Sequence, residues 1–340
     1  MSITIKDIAQ LAGVSITTVS KVINGKDSDI SQETINRVRK VVLENNYHPS
    51  VVAQSLRTQH TWTIGFLLPD IRNPFYTEVV RGAEDCARVN GYSLLICHTD
   101  NNGDKEVSYI RTLEAKQVDG IVLAGLQILE RLKQRQVEIH LPSTSIANHI
   151  LYWDYDKHQI PYQKGTKLAT EHLLELGHKN IYFISGPKDL PYSLRRYNGY
   201  RYALQNANIH VNEKYVHFLP QFNTELAYQH MLKNYKASEC SAVVCGNDII
   251  AYGVMKAMSM LGYQIPNDVS IVGYDDVYLS EFSNPPLTTI RQSKYELGWF
   301  AVQELVNKLQ NEQVPVDYDQ LEVELIVRQT TAPYGLKKKK

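Results

Sequence analysis

Carboxylate, guanidinium and amide side chains recur just after short apolar runs of this chain. Asn247-Asp248 follow Ala242–Cys245, Asp275-Asp276 follow Val269–Gly273, and Arg196 lies in the segment after Ile181–Ser185. Nearer the start, Asn73 and Phe75 follow the run Ile64–Leu68. Such groups beside an aromatic wall suit a polyhydroxyl ligand, because each hydroxyl both donates and accepts. Asp275 and Arg196 lead the set, since a charged residue beside a strand end needs a partner. The competing roles are a turn or helix cap for Asp275 and a salt bridge across a cleft mouth for Arg196.

A second polar set sits at the other end. Ile5, Ile8, Ala9 and Ala12 recur at helical spacing, Gly13 stops that helix, and Ser15 stands where the next N-cap belongs. Val19, Val22 and Ile23 form the buried stripe of a second helix that ends at Asn24-Gly25. Two short helices joined by a tight Gly turn are the geometry that lays the second helix into the major groove. Ile16, Thr17, Ser20 and Lys21 remain on its outer face. Thr17 and Ser20 suit phosphates or base edges, and Lys21 suits a guanine. Ile16 is either a thymine-methyl contact or a plain surface isoleucine. A third helix fits Ser31 to Asn45, with Ile35, Val38, Val41 and Val42 as its stripe, and Tyr47 packs back before Pro49.

Charge alone does not identify a nucleic-acid partner. Up to Arg57 there are seven Lys/Arg against five Asp/Glu, and the whole chain has 36 of each sign. That balance does not exclude a small three-helix domain without a nucleic-acid role.

The elements that position the first set follow a β-α-β-α rhythm from Thr63 onward. Strands are expected at Ile64–Leu68, Ser93–Cys97, Gly120–Ala124, Ile181–Ser185, near Tyr215–Leu219, at Ala242–Cys245, Val269–Gly273 and Glu322–Arg328. Helices are expected at Phe75–Asn90, Asp104–Lys116, Leu126–Gln136, Gly165–Leu176, Tyr192–Asn206, Thr224–Tyr235, Ile249–Leu261 and Tyr295–Leu309. This alternation implies parallel sheets covered on both faces, in two similar halves. Ligands then bind beyond the carboxyl ends of strands. The stretch His140–Tyr162 is the least regular, with a possible strand at Ile150–Tyr155. Its Tyr152, Trp153, Tyr155 and Tyr162 either stack on a sugar face or fill core, and core is favoured. Asp154 and Asp156 read as exposed loop carboxylates rather than pocket residues.

The chain also resembles a known family. Ile3–Gly25, then Tyr47-His48-Pro49, Ala53-Gln54-Ser55-Leu56-Arg57 and Thr63-Ile64-Gly65, resemble the lactose-repressor (LacI/GalR) family of bacterial transcription regulators. Pro69-Asp70-Ile71-Arg72-Asn73-Pro74-Phe75, Val118-Asp119-Gly120-Ile121, Gly177-His178, Gly199-Tyr200-Arg201, Gly246-Asn247-Asp248, Gly273-Tyr274-Asp275-Asp276 and Pro285-Pro286-Leu287-Thr288-Thr289 continue the match in order. The resemblance implies that Ile16, Thr17 and Lys21 face bases. Lysine replaces the family's usual arginine at position 21 and loses its bidentate fork. It also implies a hinge helix within 50–57 whose Leu56 wedges a minor-groove base step. Fewer than ~12 residues rarely stay helical alone, so that segment should order only on DNA and in a dimer. The candidate DNA-binding residues are Thr4, Ser15, Ile16, Thr17, Thr18, Ser20, Lys21, Asn24 and Leu56. By resemblance the effector contacts are Asn73, Phe75, Arg196, Phe222, Asn247, Asp275 and Gln292.

The expected fold is an all-α helix-turn-helix domain plus an α/β periplasmic-binding-protein-like core of two doubly wound parallel-sheet subdomains. Its expected limits are 1–49 for the DNA-binding domain, 50–61 for hinge and linker, 62–332 for the core and 333–340 for a basic tail. Within the core, an N-subdomain takes about 62–160 and 292–320, and a C-subdomain about 161–291 and 321–332. The expected function is a DNA-binding transcriptional regulator, a repressor by family habit, controlled by a sugar or sugar derivative between the core subdomains. The expected partners are a pseudo-palindromic double-stranded operator, that effector and a second copy in a homodimer, since no C-terminal heptad run extends the assembly. A protein partner in place of the effector, or an unregulated sugar-binding module, is the alternative.

No cofactor, metal or membrane is expected. No GxGxxG, GxxxxGK[ST] or GxSxG pattern occurs, which argues against an enzyme. Asp100–Asp104 is out of register for a calcium loop and reads as a turn, and His172 and His178 read as structural. Cys86, Cys97, Cys240 and Cys245 lack zinc-like spacing and read as buried thiols. With no apolar signal core and no apolar run near ~18 residues, the expected location is cytoplasmic.

Overall fold

A computed structural model describes residues 3–48, 60–125, 128–146, 161–236 and 239–335. Leu56, the possible strand at 150–155, Asp154, Asp156 and the basic run at 337–340 lie outside the described residues. The chain divides into two compact units at Thr61–Trp62.

The first unit is three helices, α1 (Ile5–Ala12), α2 (Ile16–Ile23) and α3 (Gln32–Glu44). Local signals fix each end. Thr4 forms a capping box with Asp7, and Gly13 takes the left-handed conformation at φ 64°, which lets its N–H close the first helix. Ser15 and Ser31 cap α2 and α3 by accepting from Thr18 N and Thr34 N. Ile8, Val19, Val22, Ile35 and Val38 are buried together, and Tyr47 folds back onto them. Each such side chain stabilises the unit by roughly 1.5–3 kcal/mol, so truncating Ile8 or Val19 would unfold so small a core. Val41 and Val42 only flank that core.

The second unit holds two sheets. The first has order β2-β1-β3-β4, all parallel, from β1 (Thr63–Leu68), β2 (Ser93–His98), β3 (Gly120–Leu123) and β4 (Ser143–Ser145). Its helices are α4 (Phe75–Val89), α5 (Gly103–Ala115) and α6 (Ile128–Gln134). Sequence reading missed β4, because Ser-Thr-Ser shows no apolar run. Its Thr144 and Ser145 are nevertheless buried, and Thr144 Oγ1 donates to the carbonyl of Ala301 at 3.0 Å.

The second sheet has order β10-β9-β8-β7-β5-β6. Its strands are β5 (Ile181–Ser185), β6 (Val216–Phe218), β7 (Ala242–Cys245), β8 (Ser270–Asp275), β9 (Thr288–Gln292) and β10 (Val323–Ile326). All pair in parallel except β10, which runs antiparallel to β9. Helices α7 (Pro161–Glu175), α8 (Pro191–Asn206), α9 (Thr224–Asn234), α10 (Asp248–Met260) and the unexpected one-turn α11 (Leu279–Phe282) belong to it. After β9 the chain returns to the first sheet as α12 (Lys294–Leu309). A Cβ on Gly298 would lie 1.8 Å from the Val79 carbonyl oxygen, so α12 and α4 pack backbone to backbone.

All four cysteines are free and buried. His178 is buried between Ser241 Oγ at 2.8 Å and the Ala332 carbonyl, to which its Nε2–H donates at 2.9 Å. Asp100 and Asn101 form a turn at φ 53° and 55°, and Asn102 caps α5. Among the described residues no His/Cys/Asp/Glu group is placed to hold a metal, and no helix is long and apolar enough to cross a membrane.

Candidate functional site

On the first unit, α2 turns Val19 and Val22 inward and leaves Ile16 43% exposed. Thr17 lies beside it on the outer face. Several of the expected DNA-binding side chains already have local partners. The hydroxyl of Thr4 donates to Asp7 Oδ2 at 2.7 Å, Ser15 and Thr18 share a 2.9 Å bond, and Asn24 Nδ2 donates to the Ser20 carbonyl at 2.7 Å. Lys21 is bonded to Asp29 in the loop that follows α2. The bond to Lys21 holds the Asp29 carboxyl below its usual range.

On the second unit, the carboxyl ends of the strands bring most of the expected effector residues together. Arg196 stands in α8 after β5, Asp275 ends β8 and Gln292 ends β9. The guanidinium of Arg196 donates to Asp275 Oδ1 at 3.4 Å, and Gln292 Nε2 donates to the same oxygen at 2.6 Å. Both Arg196 and Asp275 are buried. Burial pushes the Asp275 carboxyl up to about 7, against the opposing pull of Arg196.

Four rings box the guanidinium. Its carbon lies 4.3 Å from the Tyr274 centroid, 4.8 Å from Tyr162, and 5.7 Å from both Tyr192 and Phe222. Tyr192 and Phe222 stack on each other at 5.4 Å and 21°. Gly186 permits that wall, because a Cβ there would fall 2.2 Å from the Phe222 ring. Burial raises the hydroxyl pKa of Tyr162 to about 12 and lifts Tyr192 and Tyr274 further. Arg196 Nε has no hydrogen-bond partner despite its burial. An orphaned donor of this kind costs about 1–3 kcal/mol and calls for an acceptor.

On the side of the first sheet, α4 brings Tyr76 near Tyr192, Tyr162 and Asp275. Asn73 Oδ1 accepts from Phe75 N at 3.0 Å and so starts α4, where Phe75 and Tyr76 meet edge to face at 5.1 Å. Burial raises the Tyr76 hydroxyl pKa, and the nearby Tyr192, Tyr162 and Asp275 raise it further. Asn247 caps α10, its Oδ1 accepting from Ile250 N at 3.0 Å. Both amides thus spend their oxygens on helix starts, which leaves their nitrogens as donors.

Lys294 was missed altogether, because a lysine opening a helix ordinarily reads as solvated. Here it is buried, and its ammonium donates to the carbonyls of Asp275 and Asp276, the second at 2.9 Å. Asp275 and Asp276 both have positive φ, 117° and 49°, a conformation their side chains disfavour and that the Lys294 bonds hold in place. Burial pulls the Asp276 carboxyl upward, but bonds from Arg328 and Arg291 outweigh it and hold it below the usual range. Tyr192 was also missed as a box wall. Its place four residues before Arg196 on one helix face was the available signal.

A helix-turn-helix unit joined to a two-sheet α/β binding core defines a DNA-binding transcription regulator, not an enzyme. The chain belongs to the lacI family of bacterial regulatory proteins, whose pattern matches residues 4–50, and a periplasmic binding protein-like domain matches 170–331. It is 36% identical over 334 residues to the transcriptional repressor PurR of Vibrio campbellii, covering 96% of this chain and 98% of that one. It is 37% identical over 312 residues to the ribose operon repressor of Escherichia coli, covering 90% and 93%. The lac repressor dimer bound to operator and an anti-inducer superposes with a TM-score of 0.79 at 26% identity, covering 98% of this chain and 100% of that one. A lacI-family regulator from Enterococcus faecium solved with bound ribose superposes at 0.63 and 28% identity, covering 80% and 99%.

Proposed function

We propose that this regulator is a repressor that binds a pseudo-palindromic operator as a homodimer, with α2 in the major groove, and that a small polyhydroxyl ligand controls its grip on DNA. On this reading Ile16, Thr17, Ser20 and Lys21 reach the DNA, while Thr4, Ser15, Thr18 and Asn24 hold the helix ends that present them. The effector lies between the sheets, over Phe75 and Phe222, with Arg196, Asp275, Gln292, Asn73 and Asn247 serving its hydroxyls. The carrying observation is the boxed Arg196: a buried guanidinium whose Nε has no hydrogen-bond partner, beside a buried carboxylate, offers a donor and an acceptor to a hydroxyl that does both. The ribose operon repressor and the ribose-bound regulator among its relatives agree with a sugar of pentose size.

A planar nucleobase is the second reading, favoured by one feature. Tyr192 and Phe222 stack nearly parallel on each other, and an aromatic wall of that kind suits a flat ring as well as a sugar. Ligand control follows if the ligand binds one arrangement of the two subdomains better than another, since only differential affinity shifts a population. Thermal shift of the full-length protein against pentoses, hexoses, their phosphates and nucleobases tests the reading. A ligand at a hundred times its Kd stabilises by about 2.7 kcal/mol. A pentose hit supports a sugar effector and a base hit replaces it. Silence across the library moves control to a protein partner.

A further inference from the structure

Lys21 lies in the last turn of α2, and its ammonium is bonded to the Asp29 carboxylate. Both side chains are exposed, at 41% and 61%, so the core of the unit needs neither. Asp29 belongs to the loop between α2 and α3. The same loop holds Asp27, whose carboxylate takes Arg39 of α3 at 3.5 Å. Two carboxylates therefore flank the helix that a member of this family brings against a polyanion, where an unneutralised acid repels phosphate. Bases are reached from the start of a recognition helix, here Ile16 and Thr17. The Asp29 bond instead ties Lys21 to a loop that leaves the far end of α2.

We propose that Asp29 is an intramolecular competitor for Lys21, holding the ammonium in the free protein and yielding it when α2 meets its operator. The proposal rests on the reading of α2 as the recognition helix and of Lys21 as a DNA contact. On random duplex Lys21 has only a phosphate to gain, and that gain comes from releasing counterions. Breaking an existing ion pair offsets it, so the contact adds little. At the operator the full set of contacts places a guanine or phosphate within reach, and the exchange proceeds. Asp29 thereby lowers non-specific binding more than specific binding and widens the ratio between them.

The test uses full-length protein, an operator duplex selected by it from a randomised pool, and a scrambled duplex. Wild type, Asp29→Asn, Lys21→Ala and the double variant are titrated from about 50 to about 200 mM salt. Because both residues are exposed, all four proteins should fold, which circular dichroism checks. Asp29→Asn is expected to bind the scrambled duplex about fivefold more tightly, gain less on the operator, and steepen the salt slope by about 0.9 per protomer. Lys21→Ala should cancel that gain. An equal gain with and without Lys21 overturns the proposal, since Asp29 then only repels phosphate. Weaker binding by Asp29→Asn also overturns it, since Asp29 then positions Lys21 for DNA. If Lys21→Ala changes nothing on either duplex in either background, the assignment of Lys21 to DNA is what fails.

Discussion

Arg196 and Asp275 meet as a buried pair at 3.4 Å, longer than the ~2.7–2.9 Å of a full charge-assisted hydrogen bond. Gln292 binds the same carboxylate oxygen more closely, at 2.6 Å, and the rings of Tyr274 and Tyr162 lie nearest the guanidinium. The pair is thus oriented without being saturated. Replacing either member should remove the effector response and leave operator binding in place, because the proposed DNA-binding helices lie in a separate unit. Arg196→Ala and Asp275→Ala should each weaken effector affinity by about 2–5 kcal/mol, thirtyfold or more. Titration of the effector into protein–operator complex reads this directly. A normal effector response in both variants would remove the cleft assignment.

The same carboxyl has a pH signature. Burial raises Asp275 from 3.8 to about 7 and Asp248 from 3.8 to about 6, so the folded protein holds protons that the unfolded chain has released between those values. Where the folded state binds more protons, stability falls as pH rises, here from 3.8 to about 7, and levels above that. Asp275→Asn keeps an oxygen for Gln292 and removes the titration. Relative to wild type it should gain stability as pH climbs through that window, by a few kcal/mol in order of magnitude. Burial lowers the pKa of His178 and His230, which act in the opposite sense, but they are common to both proteins and cancel in the difference. Urea unfolding at about pH 5 and about pH 8 measures it. A difference independent of pH would mean that Asp275 is ionised throughout.

Much of this architecture was legible because its signals are local. Thr4, Gly13 and Ser15 mark helix ends by residue type, and the runs before Asn73, Asn247 and Asp275 mark strand ends. The box around Arg196 was not legible. Tyr162, Tyr192 and Tyr274 sit at spacings that serve a core equally well, and Tyr274 and Tyr162 are in fact buried core residues as well as box walls. What makes them a box is the tertiary placement of a cation among them, and no window of sequence records that. Lys294 and β4 failed for a related reason. A lysine, and a Ser-Thr-Ser segment, are polar by composition, and only packing from distant helices buries them.

Lys294 should prove structural to the site. Its ammonium is the donor for two carbonyls on residues whose φ is 117° and 49°. Lys294→Met keeps the length of the side chain and removes the donor, which leaves those carbonyls unsatisfied. The expected cost is about 2–4 kcal/mol by urea unfolding, with loss of effector affinity because Asp275 is no longer held. A variant as stable as wild type, with an unchanged ligand response, would show that the positive-φ turn is held by Arg291 and Arg328 through Asp276 alone.

Gly298 offers a test of opposite sign from the usual expectation. Gly to Ala inside a helix ordinarily stabilises by about 0.5–1 kcal/mol. Here the new methyl would lie 1.8 Å from the Val79 carbonyl oxygen, and the reciprocal contact places a Gly82 Cβ 1.9 Å from the Tyr295 carbonyl oxygen. Backbone cannot yield as a side-chain tip can, so α4 and α12 must separate. Gly298→Ala should therefore destabilise by about 3 kcal/mol. The effect should reach the ligand response too, because α12 carries the chain from β9, beside Gln292, back to the first sheet, and α4 carries Phe75 and Tyr76. A stabilised Gly298→Ala protein would mean that these helices have room to part without disturbing either wall of the box.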